Sequence, residues 1–348
     1  MFTETRDYLS TPSKNKMRDW SEYIFDPPHS FEEKALHVFD HQFYHNTLYH
    51  GFCMALGQDT ATVHTVDDIP LLPVKAFRET SVLGNYIEEE AVELEFKSSG
   101  TTAMEPSTHK VASAQMYRLS VLEGINHFYD LQKSVFWGYV PGYSDNPNSS
   151  LIWMIKQLID QDLSGFSRFL PLGQPLDLEE INRVRDNGKQ LVIFGAAFGF
   201  LDLLKLNSIK LPEGVIIMET GGMKTHRRQI SRETLHEELA AGFGLGSQYI
   251  HSEYGMTEML SQAYMQGGPW FDTPPWLAIT IRDPENPMAT VPPGQEGLIG
   301  VIDLANVHSC SFFLTQDVGV KNVEGQFRVN GRWRNANLRG CNFLVEEE

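Results

Sequence analysis

The sequence predicts an α/β layered fold, and three observations carry that expectation. Residues 135–140, 191–194 and 215–218 form continuous apolar runs, as strands buried on both faces of a parallel sheet do. A helical pattern follows each run, giving the βα alternation of a layered core. After Trp270 the character changes to prolines and short apolar runs at 277–281, 298–304 and 311–314, which predicts a small β-rich subdomain. With no repeat and no low-complexity linker, the chain reads as one continuous core. Approximate subdomains are 1–134 (N-terminal helices and a candidate anion loop), 135–268 (αβ) and 269–348 (β-rich, with the C-terminal tail).

Taken in order, residues 1–65 read as helical and aromatic-rich, with Phe31, Leu36, Phe39, Phe43, Tyr44, Leu48 and Tyr49 suited to covering another layer. Pro70 and Pro73 punctuate the approach to a strand at 92–96, where Val92, Leu94 and Phe96 alternate with Glu93 and Glu95. Ser113 is a fitting N-cap for a helix in which Met116, Leu119, Leu122, Ile125 and Phe128 recur at helical spacing.

A chain of 348 residues with 41% hydrophobic residues can bury a substantial core and allows one large or two ordinary domains. Its formal net charge of −17 argues against a nucleic-acid or anionic-membrane partner, because both need a basic face. No run approaches the length of a membrane span, and the opening MFTETRDYLSTPSKNKMRDW has no apolar signal core. Cys53, Cys310 and Cys341 are too few and too far apart for a disulfide framework, so a cytoplasmic location is expected. His308 and Cys310 lie close together, but no second ligand pair stands at zinc spacing.

The stretch Lys97-Ser98-Ser99-Gly100-Thr101-Thr102 follows the 92–96 strand and has the chemistry of an anion-gripping turn. Gly100 permits close approach of the main chain, while hydroxyls and successive N–H groups supply donors. It is not the Gly-x4-Gly-Lys-Ser/Thr loop, which needs a second glycine beside a lysine. Downstream come Ser252-Glu253-Tyr254-Gly255-Met256-Thr257-Glu258, then Leu314-Thr315-Gln316-Asp317, then Gly331-Arg332. Singly, each has a plainer explanation as a turn or a solvated residue.

In this order, and over residues 96–340, the motifs resemble those of the adenylate-forming superfamily. The nearest resemblance is to LuxE-type acyl-protein synthetases and their phenylacetate-CoA-ligase-like relatives, carried by FKSSGTTAMEPSTHKV and GRWRNANLRGCNF. It implies two αβ-layered subdomains with a small distorted β-barrel. It also implies ATP and Mg²⁺ as cofactors and a carboxylic acid, expected to be a fatty acid, as substrate. Ser98, Ser99, Gly100, Thr101 and Thr102 would wrap the β- and γ-phosphates. Thr257 would donate to the α-phosphate and Glu258 would ligate Mg²⁺, a cation suited to hard oxygen. Tyr254 and Gly255 would face adenine, Gly221 and Gly222 would line its pocket, Asp317 would hold the ribose, and Arg332 would contact ribose or phosphate.

Several positions depart from the superfamily pattern. Ala103 replaces a usual glycine and Ser107 a usual lysine, with His109 and Lys110 nearby. Arg334, Asn335 and Asn337 stand where larger ligases carry an acidic hinge, and the small C-terminal domain of those ligases, with its catalytic lysine, is expected to be missing. Cys341 matches the cysteine that takes the acyl group in LuxE-type proteins, and Arg334 and Arg339 would favour its thiolate. A buried, inert thiol is the competing explanation. The run Phe194–Phe200 alternates small and aromatic residues, as an acyl tunnel wall with Trp137, Tyr139 and Tyr143 would, or as ordinary packing would. The expected activity is acyl-AMP formation with transfer to a protein thiol, an acceptor protein such as a reductase subunit being the implied partner. The alternatives are a core using free coenzyme A and a non-catalytic nucleotide-binding scaffold.

Overall fold

The computed structural model describes residues 19–98, 106–142, 146–206, 209–221 and 230–333. The chain opens with helices α1 (Ser21–Phe25), α2 (Phe31–His45) and α3 (Thr47–Ala55), a two-residue strand β1 (Leu72–Pro73) and α4 (Ala76–Glu79). A hairpin of β2 (Leu94–Lys97) and β3 (Thr108–Val111) follows, then α5 (Ala114–Phe128), β4 (Ser134–Tyr139), α6 (Ser150–Gln161), β5 (Arg168–Phe169) and α7 (Leu178–Asp186). The middle of the chain continues with β6 (Gln190–Ala196), α8 (Ala197–Leu206), β7 (Ile216–Thr220), α9 (Arg232–Phe243), β8 (Ile250–Tyr254) and β9 (Ala263–Gln266). The last strands are β10 (Leu277–Arg282), β11 (Gly297–Asp303), β12 (Phe312–Lys321) and β13 (Phe327–Arg332).

The central sheet has the order β5-β4-β6-β7-β8-β9, parallel from β5 to β8 and closed on one side by antiparallel β9. Successive side chains of a strand point to opposite faces, so the apolar runs feed two cores. Phe136, Val192, Phe194, Ile216 and Met218 pack with α5 and α6. Val135, Leu191, Ile193 and Ile217 pack on the other face with α7, α8 and α9. Helix α5 starts where the sequence places it, the Ser113 hydroxyl accepting from Met116 N at 3.1 Å. Gly195 belongs to the close approach of β6 to β4, since a Cβ there would lie 2.3 Å from the Tyr139 carbonyl oxygen. Phe194 and Phe200 enter different cores, so the alternating run does not form one wall.

In the β-rich part, the ten-residue β12 has β11 along one edge and β1, then β13, along the other, with β10 outside β11. Where a small distorted β-barrel was expected, the described residues form an open five-stranded sheet, because closure would need β10 to pair with β13 or β1 and no such ladder exists among them. Among the described residues, no helix is long and apolar enough to cross a membrane.

The N-terminal helices are fastened to this sheet by polar side chains rather than by apolar contact alone. Gln42, 1% exposed on α2, donates to the carbonyls of Asn306 and Val307 at 3.0 Å each and accepts from Ser311 N at 3.0 Å. Asn46 adds a bond to the Ser309 carbonyl at 2.9 Å. Replacing Gln42 with leucine keeps the volume and strands buried groups, so stability should fall by about 1–3 kcal/mol. A urea midpoint equal to that of the wild type would rule the fastening out.

The carboxyl ends of β7 and β8 carry two buried acids. Glu219 stays ionised despite burial because Arg232, His236 and Ser252 surround it. Burial pushes the Glu253 carboxyl up to about 7, against the hydrogen bond from Thr220. A raised carboxyl pKa means the folded state holds the proton more tightly. Stability from this group is therefore present below the unfolded pKa and lost as pH rises through 7. Glu253→Gln should gain stability over the wild type as pH rises from 5 to 8, by on the order of 3 kcal/mol at most. A pH-independent difference in melting temperature would show that Glu253 does not titrate in this window.

Candidate active site

Three separate stretches of sequence meet beyond the carboxyl end of β8. The first is the β2–β3 hairpin, which brackets the hydroxyl-rich loop. Its base is sealed by Ser98 N donating to the Ser107 carbonyl at 3.0 Å and Ser107 N donating to the Ser98 hydroxyl at 2.9 Å. Ser99, Gly100, Thr101 and Thr102 lie outside the described residues. Ser107 then reaches across the molecule, and its hydroxyl donates to Glu258 Oε1 at 2.5 Å.

Glu258 is 7% exposed, in a turn after β8. Burial raises its carboxyl pKa, while the Ser107 bond and the fields of Arg332 and Arg78 act the other way. Its main chain is held as firmly as its side chain. His109 Nδ1 lies 2.8 Å from the Thr257 carbonyl oxygen, and Asn306 Nδ2 donates to the Glu258 carbonyl at 2.8 Å. Immediately beyond, Leu260 N and Ser261 N donate to Asp303 Oδ2 at 2.7 and 3.0 Å, and the Ser261 hydroxyl donates to Oδ1 at 2.5 Å. Asp303 is fully buried, which pushes its carboxyl up to about 6 even with these donors.

The second cluster joins β8 to β12 and β13. Tyr254, the last residue of β8, donates its hydroxyl to Asp317 Oδ2 at 3.0 Å. Arg332 faces Asp317 in register across β12 and β13, with Nε 3.2 Å from Asp317 Oδ1. The Tyr254 ring packs against Phe271 and Phe327 at centroid distances of 6.0 and 5.4 Å. A Cβ on Gly255 would meet Glu253 Oε1 at 2.3 Å, so a side chain there would have to displace the Glu253 carboxyl. Gly221, just past β7, has φ +104, a backbone conformation that favours glycine. Gly222 lies outside the described residues.

The structure thus brings Ser98 and Glu258 together through Ser107, and Tyr254 together with Asp317 and Arg332. The field of Arg332 reaches Glu258 and links the two clusters. Among the described residues no group of three or more His, Cys, Asp or Glu could hold a metal ion. A single carboxylate such as Glu258 still suits Mg²⁺, which commonly takes one protein carboxylate together with substrate phosphates and water. Cys341 and Tyr143 lie outside the described residues. Cys53 and Cys310 are fully buried, and burial raises both thiols, Cys53 to about 12. Trp137 and Tyr139 are core residues, with Trp137 Nε1 donating to the Phe166 carbonyl at 2.9 Å.

Asp303 and Asn306 escaped the sequence reading, and Ser107 and His109 entered it only as neighbours of the loop. The available signal was an aspartate and an asparagine closing the apolar run 298–302, where an unpaired acid would be costly.

The family model described as acyl-protein synthetase, LuxE, matches residues 19–139 and 143–348. The chain is similar to the long-chain-fatty-acid–luciferin-component ligase of Vibrio harveyi, 24% identical over 332 residues that cover 89% of this chain and 85% of that protein. The ligase of the same name from Aliivibrio fischeri is 23% identical over 322 residues, covering 88% and 82%. In fold, the chain resembles 2-hydroxyisobutyryl-CoA ligase in an open conformation in complex with 2-HIB-AMP and CoA, with a TM-score of 0.59 and 12% identity. That likeness covers 90% of this chain and 81% of the ligase, and it speaks of architecture alone. With nearly its whole length matched, the chain belongs to the LuxE family of acyl-protein synthetases.

Proposed function

We propose that the protein activates a fatty acid with ATP and passes the acyl group to a protein thiol. The observation that carries this reading is the convergence of Ser107 on Glu258 beside the Tyr254–Asp317–Arg332 cluster, in a chain of this family. In the first half-reaction a carboxylate oxygen of the acid attacks the α-phosphorus of ATP, the bond to the bridging oxygen breaks, and pyrophosphate leaves. Both reactants are anions, so the protein must offset their repulsion and hold them in line. Mg²⁺ bound at Glu258 would supply charge neutralisation at the phosphates.

The protein's own residues would divide the remaining work. Ser98, Ser99, Gly100, Thr101 and Thr102 would grip the β- and γ-phosphates through hydroxyl and main-chain donors. Thr257 would donate to the α-phosphate. Asp317 would accept from the ribose hydroxyls, with Arg332 free to turn toward phosphate once ribose takes its place. Tyr254, Gly255, Gly221 and Gly222 would shape the adenine pocket. In the second half-reaction a thiolate attacks the acyl carbonyl, forming the thioester as AMP leaves. Cys341 is the thiol we assign to this step. The buried Cys53 and Cys310, with thiol pKa values raised, are poor nucleophiles by comparison.

Glu258→Gln should reduce fatty-acid-dependent exchange of pyrophosphate into ATP by about 10² or more with the fold retained, because a transition-state charge clamp is lost. Exchange at the wild-type rate would remove Glu258 from the metal site. Cys341→Ser should instead leave exchange intact and abolish a hydroxylamine-sensitive acyl-protein thioester, located by peptide mass analysis after incubation with ATP, Mg²⁺ and labelled acid. Label found on coenzyme A alone would establish the ligase that uses free coenzyme A. Label on Cys53 or Cys310 would reassign the acceptor.

A further inference from the structure

Behind the Thr257–Glu258 peptide lies a buried pair of hydrogen-bond acceptors with no donor between them. His109 is fully buried and Asn306 is 1% exposed. A carbonyl oxygen can only accept, so the 2.8 Å contact of His109 Nδ1 with the Thr257 carbonyl places the ring proton on Nδ1. Burial pushes the imidazole down to about 4, so at neutral pH the ring carries one proton and Nε2 is a bare lone pair. The Asn306 side chain lies near enough to the ring to favour its protonated form against burial, yet His109 Nε2 makes no contact that meets hydrogen-bond geometry. The orientation of that amide is fixed as well, because Nδ2 donates to the Glu258 carbonyl at 2.8 Å and approaches Asp303 Oδ2 at 3.4 Å. Asn306 Oδ1 is therefore the free end, and neither it nor His109 Nε2 has a hydrogen-bond partner.

A direct bond between the two would need a proton on Nε2. That requires either a charged imidazolium in a buried site or a proton taken from Nδ1, which would set a bare nitrogen against the Thr257 carbonyl. Both residues line a small cavity, with Ala112, Leu260 and Ala305 among its walls. The free space in it is room for about one water.

We infer that this cavity is the site of one structural water that donates one hydrogen to His109 Nε2 and the other to Asn306 Oδ1. A water molecule has two donors, matching the two acceptors. Through it, His109 and Asn306 form a single clamp on two consecutive carbonyls, those of Thr257 and Glu258. They are positioning residues, acting on substrate only through the segment they hold. The positioning role rests on the assignment of Thr257 and Glu258 to the nucleotide and metal site; the water site does not.

The test has a structural and a kinetic arm. A high-resolution crystal structure of the full chain should show a water within about 3.2 Å of both His109 Nε2 and Asn306 Oδ1. A dry cavity would overturn the water site. For the kinetic arm, glutamine at position 109 can still donate to the Thr257 carbonyl and accept from the water, whereas leucine can do neither. His109→Leu should raise the Mg²⁺ concentration for half-maximal pyrophosphate exchange about five- to tenfold, and His109→Gln should stay within about twofold of the wild type. A lower melting temperature in His109→Leu with an unchanged Mg²⁺ requirement would overturn the positioning role, as would a His109→Gln variant that folds but behaves like leucine. Failure of the Glu258 assignment would appear separately, as an unchanged Mg²⁺ requirement in Glu258→Gln with the water still present in the crystal.

Discussion

The carboxylate of Asp303 is the interaction on which the rest of the site depends. It sits at the end of β11 with no solvent contact, and it accepts from the main chain and hydroxyl of the segment that follows Glu258. It also accepts from Ala305 N at 3.2 Å, which shapes the turn presenting Asn306 and, beyond it, the backbone groups that Gln42 engages. One buried acid thus couples the antiparallel sheet, the turn bearing the candidate metal ligand and the N-terminal helices. A buried carboxylate is tolerable only with several good donors. An alanine there would leave the N–H groups of Leu260 and Ser261 without an acceptor, loosening both sides of the joint.

The electrostatic problem of the proposed reaction is acute for this protein. A chain with a formal charge of −17 must bring a carboxylate up to a polyphosphate. Its answer is local. Arg332 lies against Asp317, and its field, like that of Arg78, reaches Glu258. In this state the guanidinium of Arg332 is partnered with the carboxylate proposed for ribose. With Asp317 and Arg332 in the roles proposed, nucleotide binding would exchange one ion pair for another set of contacts, and its affinity would be the difference between them.

The sequence made the central sheet legible because its signals are local. Apolar runs of strand length, Ser113 as an N-cap and the helical spacing from Met116 to Phe128 each declare themselves within a dozen residues. The open edge of the β-rich sheet was not legible, since pairing depends on which strands meet rather than on what any strand contains. The same distinction divides the site. Tyr254, Glu258, Asp317 and Arg332 were picked out by type and order, whereas the roles of Ser107, His109, Asp303 and Asn306 exist only through partners far along the chain. Ser107 looked like a lost lysine, and only its contact with Glu258 reveals what the hydroxyl does.

That separation along the chain bears on how the molecule comes into being. The Ser107–Glu258 bond spans 151 residues, Tyr254–Asp317 spans 63, and the fastening of Gln42 to Ser311 spans 269. Contacts between distant residues close costly loops before they return any energy, so they form late in folding. During synthesis the β2–β3 hairpin emerges long before its partners, and the cluster around Asp317 waits for β13 to leave the ribosome. With Asp317 and Arg332 in the roles proposed, nucleotide would stabilise the finished protein by binding it rather than help to start the fold. On that assignment a nascent chain would gain no protection from nucleotide until β13 had paired with β12.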